Sequence, residues 1–298
     1  MHALSVLLHV TILASGLGQP FALAGEGDTL FWIDADAKQL LSMPKAGGAI
    51  TVLATGADTQ SPWSVAADAS YVYWLDAADA TVRRTPRAGG ASVILATAQP
   101  SQGLAGIATD GSYVYFSSYD GNGTGVVRRV SKWGGFVQTL ATGTNPTALV
   151  VDSWFVYVAD ASVLGGNNTI LRVPKSGGAK VTISSNEDAL GLAADANNLY
   201  WKRFWTGDVR RGSKWIAGAT TLAPNGGGWG DLGVDATYVW WTTGPVLHRS
   251  NKLTGGEEVV YEAPSWALSL EIDPSAVYLA TERTSEEIPD GAIVKVTP

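Results

Sequence analysis

Eight side chains of this sequence have the stacking and hydrogen-bonding chemistry of a ligand-binding surface. Aromatic rings stack on the apolar faces of sugars and peptides, and polar groups beside them fix the orientation of the ligand. We therefore expect a glycan or a peptide to bind six aromatic residues and two arginines, all of which lie where the repeat units described below differ: Trp63, Tyr119, Phe204, Trp205, Trp229, Trp266, Arg203 and Arg283.

Cation binding is a second chemistry that the sequence suggests. Asp120, Asn122 and Thr124 alternate with glycines, as in the opening of a calcium loop. The twelfth position of such a loop is normally an acidic ligand, and here it is Ser131. We therefore expect a hairpin loop and no cofactor, with calcium at these three residues as the weaker alternative.

Residues suited to acid–base catalysis are few. Cysteine is absent, and of the three histidines, His2, His9 and His248, the last lies on a basic strand away from the aromatic residues. A metal-assisted hydrolase or lyase would have to use carboxylates: Glu187, Asp188, Asp231, Glu286 and Glu287. We expect a non-catalytic binding protein, with a lactonase-like hydrolase or lyase as the alternative and a structural scaffold as the second.

A repeat of about forty residues must position these side chains. Each unit contains a pair of neighbouring aromatic or apolar residues, such as Tyr73-Trp74. The second residue of this pair recurs at spacings of 42, 42, 42, 43, 40 and 38 residues, at Trp32, Trp74, Phe116, Val158, Trp201, Trp241 and Leu279. An acidic residue lies six positions before each of them: Glu26, Asp68, Asp110, Asp152, Asp195, Asp235 and Asp273. Such regularity indicates an array of identical supersecondary units.

Each unit contains four short segments of strand length. An apolar strand a precedes the acid, and an aromatic strand b follows it, as in Tyr71 to Leu75. A basic strand c, a glycine turn and a strand d complete the unit. Four antiparallel strands per forty residues are typical of a propeller blade, so the sequence predicts an all-β, seven-bladed β-propeller.

The first residues admit two interpretations. Residues 3–17 are apolar and Ala22-Leu23-Ala24 resembles a cleavage site, yet no Lys or Arg precedes them. Alternatively, Thr11 to Ser15 match strand d and supply the outer strand of the last blade, which otherwise stops after Val296. We favour this velcro closure, in a single domain over 1–298 with blades over 11–298 and residues 1–10 as an extension or the remnant of a signal segment.

Charge and composition limit the classes of binding partner that this protein is expected to have. The net charge of −7 argues against nucleic acid, and no apolar run is long enough to span a membrane. Most cations recur on strand c or the turn after it, near the repeated acids, which predicts a structural lattice of ion pairs. We expect a monomer. The lack of cysteine fits a cytosolic protein or a bacterial exported one, and we favour an extracytoplasmic bacterial location.

The b–c and d–a loops share one rim of the predicted ring, and there the units diverge. Strand a is the innermost strand, so Trp63, Trp229 and Trp266 are expected near the mouth of the central channel. The asymmetry of the rim favours one central site over seven equal ones.

Two segments resemble the YWTD repeats of low-density-lipoprotein-receptor propellers: Tyr73-Trp74-Leu75-Asp76 and Phe31-Trp32-Ile33-Asp34. The resemblance covers essentially the whole chain, but it rests on residues that build the scaffold. This sequence has seven units where that family has six, and it lacks the accompanying cysteine-rich modules. The resemblance therefore implies the propeller fold and leaves the ligand open.

Overall fold

A computed structural model describes residues 8–59, 61–98, 103–119, 125–160, 168–224, 227–285 and 290–297. Seven four-stranded antiparallel sheets form a ring, which confirms the predicted seven-bladed β-propeller. No helix in the described part of the chain has the length and apolar composition needed to cross a membrane.

The strands of each blade follow one another from the channel outwards. Blade 1 contains β2 (Pro20–Glu26), β3 (Thr29–Asp34), β4 (Gln39–Pro44) and β5 (Thr51–Thr55); blade 2 contains β6 (Pro62–Ala67), β7 (Tyr71–Asp76), β8 (Thr81–Pro86) and β9 (Val93–Thr97). Blade 3 contains β10 (Gly103–Thr109), β11 (Tyr113–Tyr119), β12 (Gly125–Ser131) and β13 (Gln138–Thr144); blade 4 contains β14 (Pro146–Val151), β15 (Phe155–Asp160), β16 (Thr169–Pro174) and β17 (Val181–Ser185).

The remaining blades repeat this order. Blade 5 contains β18 (Ala189–Ala194), β19 (Asn198–Arg203), β20 (Val209–Ser213) and β21 (Ala219–Ala223); blade 6 contains β22 (Leu232–Val234), β23 (Tyr238–Thr243), β24 (Val246–Asn251) and β25 (Gly255–Glu262). Blade 7 contains β26 (Ala267–Asp273), β27 (Ala276–Thr281) and β28 (Gly291–Thr297), and β1 (His9–Leu17) is its outer strand. A short 3₁₀ turn covers Gly56–Asp58.

The velcro closure is confirmed by the pairing of β1 with β28. The register places Thr11 opposite Lys295 and Ile12 opposite Val294. The pairing covers the outer edge of β28 with a strand from the other end of the chain. It therefore joins the two ends of the ring by contacts that are distant in sequence.

The hydrophobic core lies between neighbouring blades. One cluster joins Tyr73 and Leu95 of blade 2 to Ile107 and Phe116 of blade 3, and similar clusters recur around the ring. The second strand of each blade supplies apolar side chains to both faces: in β11, Val114 and Phe116 pack in one cluster and Tyr115 in the next. This explains why strand b reads as a nearly continuous apolar and aromatic run, since both of its faces are buried.

The aspartate that ends the YWxD-like segments ties two loops together. Asp34 accepts hydrogen bonds from the backbone N–H groups of Gly18 (2.9 Å) and Ala37 (3.1 Å). Asp76 likewise accepts from Ser61 (3.1 Å) and Ala78 (3.0 Å). One carboxylate thus fixes the b–c turn to the incoming d–a loop, which holds the variable rim in place.

The predicted ion-pair lattice is present on the opposite face. The repeated aspartate of one blade binds the lysine that follows strand c of the next blade, as in Asp110 with Lys175 at 2.7 Å and Asp152 with Lys214 at 3.0 Å. The lattice crosses the velcro closure, because Lys45 of blade 1 lies 3.1 Å from Asp273 of blade 7.

Candidate ligand-binding site at the channel mouth

A cavity of about 720 Å³ opens where the inner strands meet the variable rim. Its walls come from blades 1, 2, 3, 6 and 7, so it occupies the mouth of the central channel. The residues that line it are Gln19, Phe21, Ala22, Ala35, Ser61, Pro62, Ser64, Ala105, Trp229, Gly230, Asp231, Trp266, Leu268, Ser269 and Glu282. Its size is within the range of pockets that hold small organic ligands.

Irregular pairing at the start of the inner strands shapes this mouth. The register between strands a and b shifts between Phe21 and Ala24, between Pro62 and Ser64, and between Ala267 and Ser269. Such bulges bend a strand and redirect its side chains. The repeat thus turns the first residues of each inner strand towards the cavity while the rest of the strand stays in the sheet.

Trp229 is held at the mouth by its neighbours. Its indole is 62% exposed. The ring of Phe204 meets it edge to face, with centroids 5.3 Å apart. Gly230 follows with φ 138°, where an added Cβ would collide with Thr242. Trp229 is therefore a supported aromatic platform that loses little conformational freedom when a ligand binds.

Trp266 lies on the other side of the same cavity and is 47% exposed. Its carbonyl accepts a hydrogen bond from the N–H of Glu282 (2.9 Å), and the N–H of Ala267 donates to Gly244 (2.9 Å). Gly244 also faces the indole edge, since a Cβ there would lie 3.8 Å from Nε1 of Trp266. Backbone bonds on both sides thus fix the segment that carries this second indole.

The predicted aromatic residues of blade 5 join Trp229 in one cluster. Phe204 packs edge to face on Trp205, with centroids 4.6 Å apart, as well as on Trp229. The N–H of Trp205 donates to Asp188 at 2.5 Å. The structure therefore brings three of the sequence-predicted aromatic residues together at the edge of the cavity, and Trp266 lines the cavity itself.

The predicted arginines and Tyr119 lie away from the cavity walls. Arg203 binds Asp208 (2.6 Å) within blade 5, and Arg283 forms an ion pair with Asp36 across the junction of blades 7 and 1. Tyr119 ends β11 and its ring lies against Gly103, where an added Cβ would come within 2.8 Å of it. These positions give both arginines a role in holding the rim loops.

Three ionisable groups lie at or near this cavity: Asp231 lines it, and Lys202 and Glu271, which the sequence does not indicate as site residues, each interact electrostatically with Asp231. Burial raises the pKa of Asp231, whose carboxylate faces the cavity. The hydrogen bonds that this carboxylate accepts from the Ser269 hydroxyl (3.1 Å) and the N–H of Leu270 (3.1 Å) oppose the increase but do not cancel it. Burial lowers the pKa of Lys202 to about 8, against the opposing field of Asp231. Burial also raises the pKa of Glu271 to about 7. The channel is thus a low-dielectric environment.

The remaining catalytic candidates lie elsewhere or form structural contacts. Glu187 is buried and accepts bonds from Ser184 (2.8 Å) and from the indole of Trp201 (2.9 Å). His248 lies on β24, as expected for strand c, and stacks on Trp241 with centroids 5.3 Å apart. Within the described residues, no three His, Cys, Asp or Glu side chains are grouped so that they would hold a metal ion.

Some predicted residues lie outside the described part of the chain. They are the weak calcium candidates Asp120, Asn122 and Thr124, together with Glu286 and Glu287. For Trp63 the structure describes the backbone, which lies in β6, and not the side chain.

No family model and no curated protein matches the chain. Several solved structures are similar to it. A catalytically inactive histidine-to-alanine variant of virginiamycin B lyase from Staphylococcus aureus, solved with quinupristin, matches with a TM-score of 0.78 at 15% identity, over 98% of this chain and 99% of that chain. YCF48 bound to a D1 peptide matches with a TM-score of 0.71 at 11% identity, over 98% and 97% of the two chains.

A nidogen/laminin complex is also similar, with a TM-score of 0.54 at 19% identity over 64% of this chain and 74% of that chain. At these identities, the likenesses show a shared fold alone. The chain is a seven-bladed β-propeller whose fold occurs in both enzymes and binding proteins.

Proposed function

We propose that this protein is a non-catalytic binding propeller that takes a glycan or a peptide at the mouth of its central channel. The observation that carries the proposal is the pair of supported, exposed indoles, Trp229 and Trp266, which border one cavity of about 720 Å³ with a mainly apolar lining and a few polar groups. Large apolar rings exposed around a concave site are typical of ligand recognition.

The charges around the cavity narrow the ligand class. Among the described residues that line it there is no lysine or arginine, whereas Asp231 and Glu282 both contribute carboxyl groups. An anionic ligand would lose its hydration without gaining a cationic partner. A neutral oligosaccharide or a basic peptide therefore fits this site better than an acidic ligand.

We also propose that the units are YWTD-like repeats. The aspartates of the YWxD-like segments hold the b–c turn and the d–a loop together, which gives the motif a structural role. This role supports the resemblance of the scaffold and says nothing about the ligand.

The test is a thermal-shift panel on the intact chain with cellohexaose, xylohexaose, chitohexaose, lysine-rich tripeptides and their glutamate-rich counterparts. A ligand that binds only the folded state raises the melting temperature. We expect a neutral sugar or a basic peptide to raise it, and Trp229→Ala and Trp266→Ala to abolish that shift. Trp154→Ala is the matched control, because this indole is 73% exposed on the opposite, ion-pair face. Equal responses of all three variants would contradict the proposal.

A second candidate function is a hydrolase or lyase that uses the channel carboxylates. The observation that favours it is the group of buried ionisable residues Asp231, Lys202 and Glu271. Burial shifts the pKa values of Lys202 and Glu271 towards neutrality, as is common at functional sites. Stabilisation by a divalent ion that Asp231→Asn removes would favour this function. Stabilisation by a sugar or peptide, with no response to divalent ions, would favour the binding function.

A further inference from the structure

Six large apolar side chains are exposed at turns of the ion-pair face, in blades 3 to 6. Five belong to c–d turns and one to an a–b turn. We call them the turn-tip residues: Trp133, Phe136, Trp154, Trp215, Ile216 and Leu253. Phe136 and Leu253 are 87% and 88% exposed, so the packing of the blades does not account for these side chains.

The other blades show that these turns fold without large side chains. In the a–b turn, the residue two positions after the repeated aspartate donates its N–H to that carboxylate, as Ser70 (2.8 Å) and Ser112 (3.0 Å) do. Trp154 makes the same backbone bond at 2.9 Å, and its indole takes no part in it. In the c–d turn, the residue after the basic one that follows strand c is small in blades 1, 2 and 4: Ala46, Ala88 and Ser176. The repeat therefore does not require the turn-tip residues.

The c–d turns that carry five of these side chains stand clear of the scaffold. An added Cβ on Gly134 or Gly135 of blade 3 would meet no atom within 4 Å beyond its chain neighbours, and the same holds for Gly218 of blade 5 and Gly256 of blade 6. These turns therefore project into solvent. Separate apolar tips on projecting turns suit a deformable apolar phase, because each can insert without a partner of matching shape.

The charge around the tips is positive. In blades 2 to 5 a lysine of the next blade neutralises each repeated aspartate: Asp68, Asp110, Asp152 and Asp195. Within the described part of the chain, no carboxylate forms an ion pair with the strand c arginines of these blades, which are Arg84, Arg129, Arg172 and Arg211. The net charge of −7 therefore arises on other surfaces. An anionic surface would attract this face and repel the rest of the molecule.

Two of the exposed indoles lie beside these arginines. The guanidinium carbon of Arg84 is 4.8 Å from the centre of the Trp133 ring, and that of Arg172 is 5.3 Å from the centre of the Trp215 ring. Tryptophan is enriched where a protein meets lipid headgroups, and a guanidinium group is well suited to bind phosphate. The neighbouring indole and arginine thus match the two layers of a bilayer surface.

We propose that this face docks on the surface of a bilayer that contains anionic phospholipids. The turn-tip residues insert between the headgroups and the acyl chains, and the strand c arginines lie at the level of the phosphates. The channel mouth is on the opposite rim, so docking leaves it open to solvent. The inference does not depend on the function proposed for the channel mouth.

The test is sedimentation of the intact chain with sucrose-loaded vesicles of phosphatidylcholine, with or without phosphatidylglycerol as the anionic lipid. We expect binding to the anionic vesicles that weakens at high salt, and weaker binding to phosphatidylcholine alone. Trp154→Ser, Phe136→Ala and Leu253→Ala introduce residues that other blades carry, so the melting temperature should not change. Trp154→Ser and Phe136→Ala should each lower the partition coefficient roughly tenfold, because a large apolar side chain no longer leaves water.

Val259→Ala is the matched control for Leu253→Ala, because Val259 is exposed on the outer strand β25 of the same blade. It should retain the full affinity for anionic vesicles. Absence of sedimentation with both kinds of vesicle would overturn the proposal in favour of a protein partner. Equal sedimentation of the three turn-tip variants and the unaltered chain would also overturn it. The vesicles carry neither sugar nor peptide, so this result is independent of the thermal-shift panel.

Discussion

Removing one lattice lysine tests whether the ion pairs hold neighbouring blades together. Lys175 of blade 4 is the best choice, since its ammonium lies 2.7 Å from Asp110 of blade 3 and the two side chains are only 10% and 23% exposed. Tyr115 also donates its hydroxyl to this carboxylate, at 2.7 Å. Lys175→Met keeps most of the apolar stem and removes the charge.

The pKa of Asp110 sets the size of the effect. Burial would raise this pKa, but the bonds from Lys175, Tyr115 and two backbone N–H groups outweigh burial and lower it from 3.8 to about 2. A shift of this size corresponds to about 2 kcal/mol of stability near neutral pH, shared among all these bonds. Because the other donors remain, we expect Lys175→Met to cost about 1–2 kcal/mol and to lower the melting temperature by about 4 °C.

The assay is urea unfolding of a double-mutant cycle that combines Lys175→Met with Asp110→Asn, which keeps the acceptor for the turn. Lys180→Met is the matched control, because Lys180 is exposed and its ammonium donates to the backbone carbonyls of Thr142 (2.9 Å) and Gly143 (3.0 Å) rather than to a repeated aspartate. We expect a coupling energy of about 1 kcal/mol and a control effect within about 0.5 kcal/mol. If Lys175→Met costs the same in the Asp110→Asn background, the pair does not stabilise the ring.

Three further predictions follow from buried groups and close contacts. Acid unfolding should proceed between about pH 4 and pH 2, because the pKa of three repeated aspartates, Asp110, Asp152 and Asp195, falls from 3.8 in the unfolded chain to about 2 in the folded protein. The stability that these carboxylates contribute is present above the unfolded value and is lost as pH falls through the folded value. An unfolding transition that is complete above pH 4, followed by circular dichroism, would be inconsistent with this. Glu271→Gln should stabilise the protein by up to about 3 kcal/mol near pH 8 and by nothing below pH 4.5, since the raised pKa of about 7 makes the charged form costly once pH rises through it; denaturant midpoints at the two pH values check this. Gly230→Ala should destabilise the fold and remove ligand binding, because the added Cβ collides with Thr242; an unchanged melting temperature would refute it.

The sequence determines the scaffold because each blade repeats the same local interactions. The acid six residues before the buried aromatic marks the a–b turn, where Asp110 accepts bonds from the N–H groups of Ser112 (3.0 Å) and Tyr113 (2.9 Å). The match of Thr11 to Ser15 with strand d likewise identified the closing strand, although β1 runs further, from His9 to Leu17. Regular spacing therefore sufficed for blade number, strand order and closure.

The rim could be predicted only in part, since its residues do not repeat. Trp229 and Trp266 were placed at the channel mouth because they precede inner strands. Lys202 lies buried in β19 with its ammonium donating to the carbonyl of Thr242 (2.7 Å), a contact with the next blade that the local sequence does not indicate. Arg203 had no sequence signal for its bond to Asp208, because that contact depends on the conformation of one irregular loop.

Binding at the channel mouth is tested by an NMR titration that follows all tryptophan indole N–H resonances as the ligand identified by thermal shift is added. We expect saturable shifts of Trp229 and Trp266, the two indoles at the channel mouth, with Trp154 and Trp215 on the opposite face unchanged. Shifts confined to Trp154 and Trp215, with Trp229 and Trp266 unmoved, would place recognition on the other face and contradict it.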